Sequence, residues 1–260
     1  MLVAVALVTL TTDAALGVVG GKTVSITAAP WTVVVREYGQ QRCTGVIIDP
    51  LHIVTAGHCV MSDNGNSAEP LPASDFGVEA GVSNFKHPLK SDHPQLRPVS
   101  AVRAMPGYIA SSKVTLSNYM DSVASDLAVL TLSRPLDLDG DDARAARLPT
   151  ADTPKPERVS RLVMVGFGDE NPTGYYENGT LNEVDKATVR RSCGTSKVLC
   201  IYQQASTCFG DSGSGAIEPG SRPTVVGILS EFATSRCTPG LAYYVFLTSP
   251  AALRFIRVSS

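Results

Sequence analysis

The feature that most constrains the fold is the recurrence of short apolar runs between turn-forming residues. These runs are rich in Val, Ile, Leu and Tyr, and their lengths are typical of β-strands. They occupy residues 31–36, 45–48, 52–56, 126–132, 161–167, 224–229 and 241–246. Only residues 249–257 predict a helix, with Ser249 as its cap and Pro250 in its first turn. The chain is therefore predicted to be mostly β.

The composition is typical of a globular protein. Of the 260 residues, 43% are hydrophobic and 18% are charged, so the chain can bury a substantial core. The formal net charge is −2, and no basic field favours a nucleic-acid partner. The Asp- and Pro-rich stretch 133–157 is a predicted connection between two halves.

The amino terminus and the cysteines together predict an exported protein. Residues 1–10 form an apolar run that is too short to span a bilayer, and small residues follow it. We expect residues 1–17 to be a signal peptide and expect no stable membrane insertion, although no basic residue precedes Leu2 and a buried strand is the alternative. Six cysteines suit disulfides in an oxidising compartment. Because they show neither CxxC pairs nor Cys/His zinc spacing, no structural metal site is expected.

Three motifs carry residue types that suit nucleophilic catalysis. HIVTAGHC contains His58, SDLAVLTL contains Asp126, and CFGDSGSG contains Ser212. Taken singly, each has an ordinary explanation: a polar residue at a strand end, a solvated or capping acid, and a Gly-rich turn. A serine hydroxyl becomes an effective nucleophile, however, when a histidine takes its proton and an acid orients that histidine. Together, the motifs predict such a constellation.

The three motifs occur in the order His, Asp, Ser, and with this order the chain resembles the trypsin/chymotrypsin-like serine endopeptidases. The resemblance also includes VVGG at 18–21, similar to that family's mature amino terminus, and GFG at 166–168. It implies two packed antiparallel six-stranded β-barrels with a short C-terminal helix. The implied boundaries are a protease domain at 18–260, a first barrel at about 18–140, a second at about 157–248 and a helix at about 249–257.

The resemblance implies a role for each residue of the site. His58 is the general base, Asp126 orients it, and Ser212 attacks the substrate carbonyl. The backbone N–H groups of Gly210 and Ser212 form the oxyanion hole. An α-amine at Val18, exposed by cleavage, pairs with Asp211. Gly17 precedes Val18 where the family usually has a basic residue, so we expect signal peptidase itself to expose this amine.

The primary specificity pocket is implied at Ser206, Ser230, Phe232 and Gly240. Ser206 stands at the pocket floor, where trypsin-like members carry an aspartate, so uncharged side chains are expected before the scissile bond. The family's Ser-Trp-Gly wall reads Ser230-Glu231-Phe232 here. The sequence leaves open whether Phe232 enters the pocket or takes the aromatic position, and it offers Glu231 as an attraction for a cation at the rim. A further departure, Ser214-Gly215 after GDSG, leaves the nucleophile untouched.

The resemblance also implies the disulfides and partners. The implied pairs are Cys43–Cys59, Cys208–Cys237 and Cys193–Cys200, the last across an unusually short loop. We expect a secreted monomer that needs no cofactor, acts on proteins or peptides, and meets protein protease inhibitors. Asn178 begins a glycosylation sequon. The alternative class is a catalytically inert, protease-shaped binding protein, against which the retained triad counts.

Overall fold

The computed structural model describes residues 18–63, 68–157, 161–171, 179–184, 187–190, 193–233 and 237–260. The predicted signal peptide at 1–17 and the sequon residue Asn178 lie outside the described residues.

The described part of the chain is mostly β. In chain order its strands are β1 Lys22–Thr23, β2 Thr32–Glu37, β3 Gln40–Ile47, β4 His52–Thr55, β5 Met61–Asp63, β6 Ala68–Pro70, β7 Phe76–Ala80, β8 Gln95–Ala104, β9 Ala128–Leu132, β10 Val163–Gly166, β11 Asn182–Glu183, β12 Ala187–Val189, β13 Val198–Gln203, β14 Gly215–Glu218, β15 Thr224–Phe232 and β16 Gly240–Phe246. The helices are α1 Tyr119–Ser125 and α2 Pro250–Ser259, and short 3₁₀ turns occupy Ile26–Ala28, Gly57–Cys59, Ala73–Asp75 and Ser111–Lys113.

The first half of the chain closes into a six-stranded antiparallel barrel in the order β2-β3-β4-β9-β8-β7. Alternate residues of a strand face opposite sides of a sheet. Val33 and Val35 of β2 therefore pack inside the barrel, whereas Val34 joins a second cluster with Phe167 and Ile228 of the other half. Both faces of β2 are buried, which explains why its sequence is continuously apolar.

The second half is a curled antiparallel sheet of eight strands in the order β1-β11-β10-β14-β15-β16-β13-β12. The mostly β, two-part fold is confirmed, but within the described residues this sheet is open where a closed six-stranded barrel was predicted. The edge strands β1 and β12, and β11 beside β1, are only two or three residues long and supply few ladder hydrogen bonds. β1, which lies within the range 18–140 predicted for the first barrel, pairs with β11 in the second sheet.

Two helices complete the fold. α2 begins as predicted, since the Ser249 hydroxyl accepts a hydrogen bond from the Ala252 N–H at 3.3 Å. The sequence did not predict α1, which ends immediately before Asp126. Val123 of α1 packs against Val198 and the Cys193–Cys200 pair of the second half. Among the described residues, no helix combines the length and apolar character that crossing a bilayer requires.

Candidate active site

Two neighbouring strands bring His58 and Asp126 together. His58 lies in the turn after β4, Asp126 lies just before β9, and these strands pair antiparallel with Thr55 opposite Ala128. The space between this turn and Asp126 is small, because a Cβ atom on Gly57 would lie 3.0 Å from Asp126 Oδ1. The small residues before His58 therefore permit close approach of the acid.

Asp126 accepts three hydrogen bonds, and the residue itself is only 4% exposed. Its Oδ2 lies 2.8 Å from His58 Nδ1 and accepts the Ser230 hydroxyl at 2.6 Å, while its Oδ1 accepts the His58 backbone N–H at 2.7 Å. These bonds require Nδ1 of His58 to carry a proton, which leaves Nε2 as the basic nitrogen.

The pair has coupled acid–base properties. Burial, and to a smaller extent the charge of Arg42, lowers the pKa of His58, but the charge and hydrogen bond of Asp126 together with the charge of Glu231 outweigh them, so the pKa lies above its ordinary value. Burial raises the pKa of Asp126, but the charge of His58 and the hydrogen bonds from His58 and Ser230 together lower it. Asp126 is thus an anion that stabilises a protonated His58.

The loop that carries Ser212 is tied to β3 of the first barrel. The Thr44 N–H donates to the Ser212 carbonyl at 2.9 Å, and the Thr44 hydroxyl donates to the Gly210 carbonyl at 2.9 Å. Gly213 has φ +84°, and a Cβ there would lie 2.3 Å from the Thr44 carbonyl oxygen. Glycine at 213 is therefore required by both conformation and space.

Ser212, His58 and Asp126 line one cavity of about 630 Å³. Among the contacts of the described residues, no hydrogen bond joins the Ser212 hydroxyl to the His58 ring. Such bonds are often long in an unliganded site and shorten when substrate binds. The structure thus brings the three predicted side chains to one cleft, with the His–Asp contact already formed.

The backbone at Gly210 and Ser212 is available to a ligand. In the described part of the chain, neither N–H donates to a protein acceptor. Gly210 has φ +90°, a conformation that favours glycine. Two free N–H groups beside a serine hydroxyl are the donors that a developing oxyanion needs.

Asp211 is a fully buried carboxylate. It accepts the Gly168 N–H and the Cys208 N–H, both at 2.8 Å, and no ion pair reaches it from the described residues. A Cβ on Gly166 or Gly168 would lie 2.0 or 2.5 Å from its carboxylate, which explains the GFG sequence. Burial raises the pKa of Asp211 to about 7, although the two backbone hydrogen bonds oppose this.

Val18, like Asp211, is buried in the second half of the chain. It is fully buried within the apolar cluster that also contains Tyr244, and the Ser206 N–H donates to the Val19 carbonyl at 2.9 Å. The predicted partners Val18 and Asp211 are thus both inside the second half. The chain before Val18 is covalently continuous, so its nitrogen is an amide in the uncleaved chain.

The predicted pocket residues divide into two groups. Ser230 and Phe232 line the cleft cavity with Phe209, whose ring packs edge-on against Phe232 at 5.8 Å between centroids. Ser206 is 3% exposed and is not among the described residues that line this cavity. Gly240 pairs with Gln203, and the residue opposite Phe232 is Ala242.

The six cysteines form the three pairs that the resemblance implies: Cys43–Cys59, Cys193–Cys200 and Cys208–Cys237. One group of metal-type donors, His58 with Cys43 and Cys59, lies within 4.8 Å. Both sulfurs of this group are consumed in their own disulfide, so the group offers no thiolate to a metal.

Sequence reasoning missed three residues that shape the cleft. Phe209 is 53% exposed at the cavity wall. Arg42 donates to the His58 carbonyl and pairs with Glu37. The Tyr119 hydroxyl donates to Glu231 Oε2 at 2.9 Å. Of these, Phe209 alone had a signal, an apolar ring in a glycine-rich polar loop.

Comparison with known proteins agrees with this architecture. The family model described as Trypsin matches residues 18–256. Kallikrein 1-related peptidase b3 of Mus musculus is 30% identical over 213 residues, covering 77% of this chain and 74% of that protein. Kallikrein-1E2 of Equus caballus is 27% identical over 253 residues, covering 92% and 88%. The solved structure of human heparin binding protein has the same fold, with a TM-score of 0.72 at 19% identity over 93% of this chain and 96% of that one. The chain therefore belongs to the trypsin family of serine peptidases.

Proposed function

We propose that this protein is an active, exported serine endopeptidase that cleaves peptide bonds through an acyl-enzyme. The observation that carries the proposal is the 2.8 Å contact between His58 Nδ1 and Asp126 Oδ2 in the cavity that Ser212 also lines. His58 Nε2 takes the Ser212 proton as the hydroxyl oxygen attacks the substrate carbonyl carbon. The protonated His58 then gives this proton to the leaving amine, and water releases the acyl group by the same route in reverse.

Electrostatic stabilisation comes from the Gly210 and Ser212 N–H groups. The carbonyl oxygen becomes an anion in the tetrahedral intermediate, and preorganised donors at that point stabilise it. Each such donor typically lowers the barrier by about 3–4 kcal/mol. Asp126, held by His58 and Ser230, stabilises the positive charge on His58 in the same step.

Cleavage before Val18 is proposed to complete the site. A free Val18 amine would supply the cation that the buried Asp211 lacks among the described residues. Amino-terminal sequencing of the secreted protein tests this step, and a start at any residue other than Val18 contradicts it. Export itself is supported by three disulfides, which persist in oxidising compartments.

Preference for a small, uncharged residue before the scissile bond is also proposed. The Phe209–Phe232 pair lies at the cleft wall, and Ser206 is not among the described residues that line this cavity. A buried serine floor gives a cation no partner, and we expect the aromatic pair at the wall to limit the size of the side chain that fits. Profiling on a peptide library tests this preference, and dominant cleavage after Arg or Lys contradicts it.

The inert binding protein is the second candidate, and the observation that favours it is the Phe209–Phe232 ring contact at the cleft wall. A fluorophosphonate reagent discriminates the two, because it labels a serine only where a base activates it. We expect labelling of the chain that begins at Val18 and none of its Ser212→Ala variant. Ser214→Ala is the matched control, since Ser214 is buried two residues away in the same loop. Labelling absent from wild type, or retained in Ser212→Ala, contradicts the proposed mechanism.

A further inference from the structure

Glu231 is the carboxylate that faces the cleft without a cation. Asp126 and Glu231 are the acidic residues among those that line the cavity, and Asp126 is already bonded to His58 and Ser230. Within the described chain, Glu231 has no Lys, Arg or His within ion-pair distance. Arg42 lines the same cavity but is paired with Glu37. Among the described lining residues, Glu231 is therefore the carboxylate that no ion pair neutralises, although its charge also acts on His58 and helps to raise the pKa of that ring.

A neutral donor holds the Glu231 carboxylate in place. The Tyr119 hydroxyl donates to Oε2 at 2.9 Å, and the Tyr119 ring packs edge-on against Tyr243 with centroids 5.6 Å apart. Burial, followed by the charge of Glu231, raises the pKa of Tyr119, so the phenol keeps its proton and remains a donor. One carboxylate oxygen is thus anchored, and the other accepts no hydrogen bond from the described residues. A positioned acceptor loses less side-chain entropy when a ligand binds.

The strand that carries Glu231 sets which part of a substrate meets it. Glu231 lies on β15 between Ser230, which contacts Asp126, and Phe232, which walls the primary pocket. In the proposed function, the residue that enters this pocket belongs to the acyl half of the substrate. A side chain that reaches Glu231 therefore comes from the same half, on the amino-terminal side of the scissile bond.

We propose that Glu231 selects a cationic side chain, Lys or Arg, at one of the substrate positions that precede the residue in the primary pocket. The inference rests on the proposed peptidase function and adds a second determinant to it. The pocket selects by size and lack of charge, whereas Glu231 selects by positive charge. A charge-assisted hydrogen bond to a half-buried carboxylate favours the cationic peptide by about tenfold over a neutral one.

The experiment uses matched peptides with Ala before the scissile bond and Lys, Gln or Glu at each of the three preceding positions. For the chain that begins at Val18, we expect kcat/KM for the Lys peptide to exceed that for the Gln peptide by about tenfold at one position. In Glu231→Gln this ratio should fall to about one, and in Glu231→Lys the Glu peptide should become the preferred substrate. Glu218→Gln is the matched control, because Glu218 does not line the cavity, and it should retain the wild-type ratio.

Two results would overturn the inference: equal rates for Lys and Gln peptides at all three positions, or a Lys preference that survives Glu231→Gln. Calorimetric binding of the same peptides to Ser212→Ala and to Ser212→Ala/Glu231→Gln makes the test independent of turnover. If no peptide is hydrolysed by wild type while the Lys peptide still binds Ser212→Ala about tenfold more tightly, the proposed catalysis fails and the role of Glu231 stands. If wild type hydrolyses the peptides without any charge preference, the proposed catalysis stands and the role of Glu231 fails.

Discussion

The buried Asp211 predicts that removal of residues 1–17 changes how stability depends on pH. In the uncleaved chain, burial raises the pKa of this carboxyl from its ordinary 3.8 to about 7. The folded state therefore keeps a proton between these pH values that the unfolded state has lost, so stability falls as pH rises. The stabilisation that the protonated Asp211 carboxyl contributes to the folded state is complete below pH 4 and lost above pH 7. The pKa difference corresponds to about 4 kcal/mol.

Urea unfolding at pH 4 and pH 8 measures this effect. The perturbation is Asp211→Asn, made both in the 260-residue chain and in the chain that begins at Val18. In the uncleaved chain, the free energy of unfolding of wild type relative to the variant should drop by about 4 kcal/mol between the two pH values. Groups that titrate elsewhere cancel in this difference.

The chain that begins at Val18 should behave in the opposite way. Its ammonium group stabilises the ionised Asp211, so wild type stays stable at pH 7, and Asp211→Asn costs about 3–5 kcal/mol by leaving a buried cation unpaired. Parallel pH profiles of wild type and variant in both chains would refute this coupling. Equal losses of stability on Asp211→Asn in the uncleaved and cleaved chains at pH 8 would refute it as well.

Three further outcomes are expected. Since Asp126 and Glu231 together raise the pKa of His58 more than burial and Arg42 lower it, kcat/KM should fall on acidification with a midpoint above 6.5, and a midpoint at or below 6.5 would contradict the coupling. Ser230→Ala removes the 2.6 Å hydrogen bond to Asp126 and should raise the barrier by about 1–3 kcal/mol, which lowers kcat/KM by about 5- to 150-fold with little change in KM, whereas an effect confined to KM would assign Ser230 to substrate binding. Phe232→Ala should open the primary pocket and raise kcat/KM for Phe relative to Ala before the scissile bond by at least about tenfold; an unchanged ratio in library profiling would show that another residue limits the pocket.

The amino-acid sequence by itself determined the features that local chemistry controls. Alternating and continuous apolar runs predicted a mostly β chain, because a strand buried on one face alternates apolar and polar residues and a strand buried on both faces is continuously apolar. Ser249 and Pro250 predicted the start of α2, since a cap depends on neighbouring backbone groups alone. The motifs around His58, Asp126 and Ser212 identified the candidate triad, because this chemistry needs specific residue types.

Only the tertiary structure decided the features that depend on distant contacts. α1 is seven residues long with no side-chain cap, so packing of Val123 against the second half stabilises it more than local propensity does. The register shift in β15 places Ala242 opposite Phe232, and no local pattern reports such a shift. Tyr119 and Glu231 are 112 residues apart in the chain and meet only because α1 packs against β16, the strand beside β15. The alternation of apolar and polar residues along a strand indicates which face is buried. The pairing partner and the register depend on contacts between segments that are far apart in the chain.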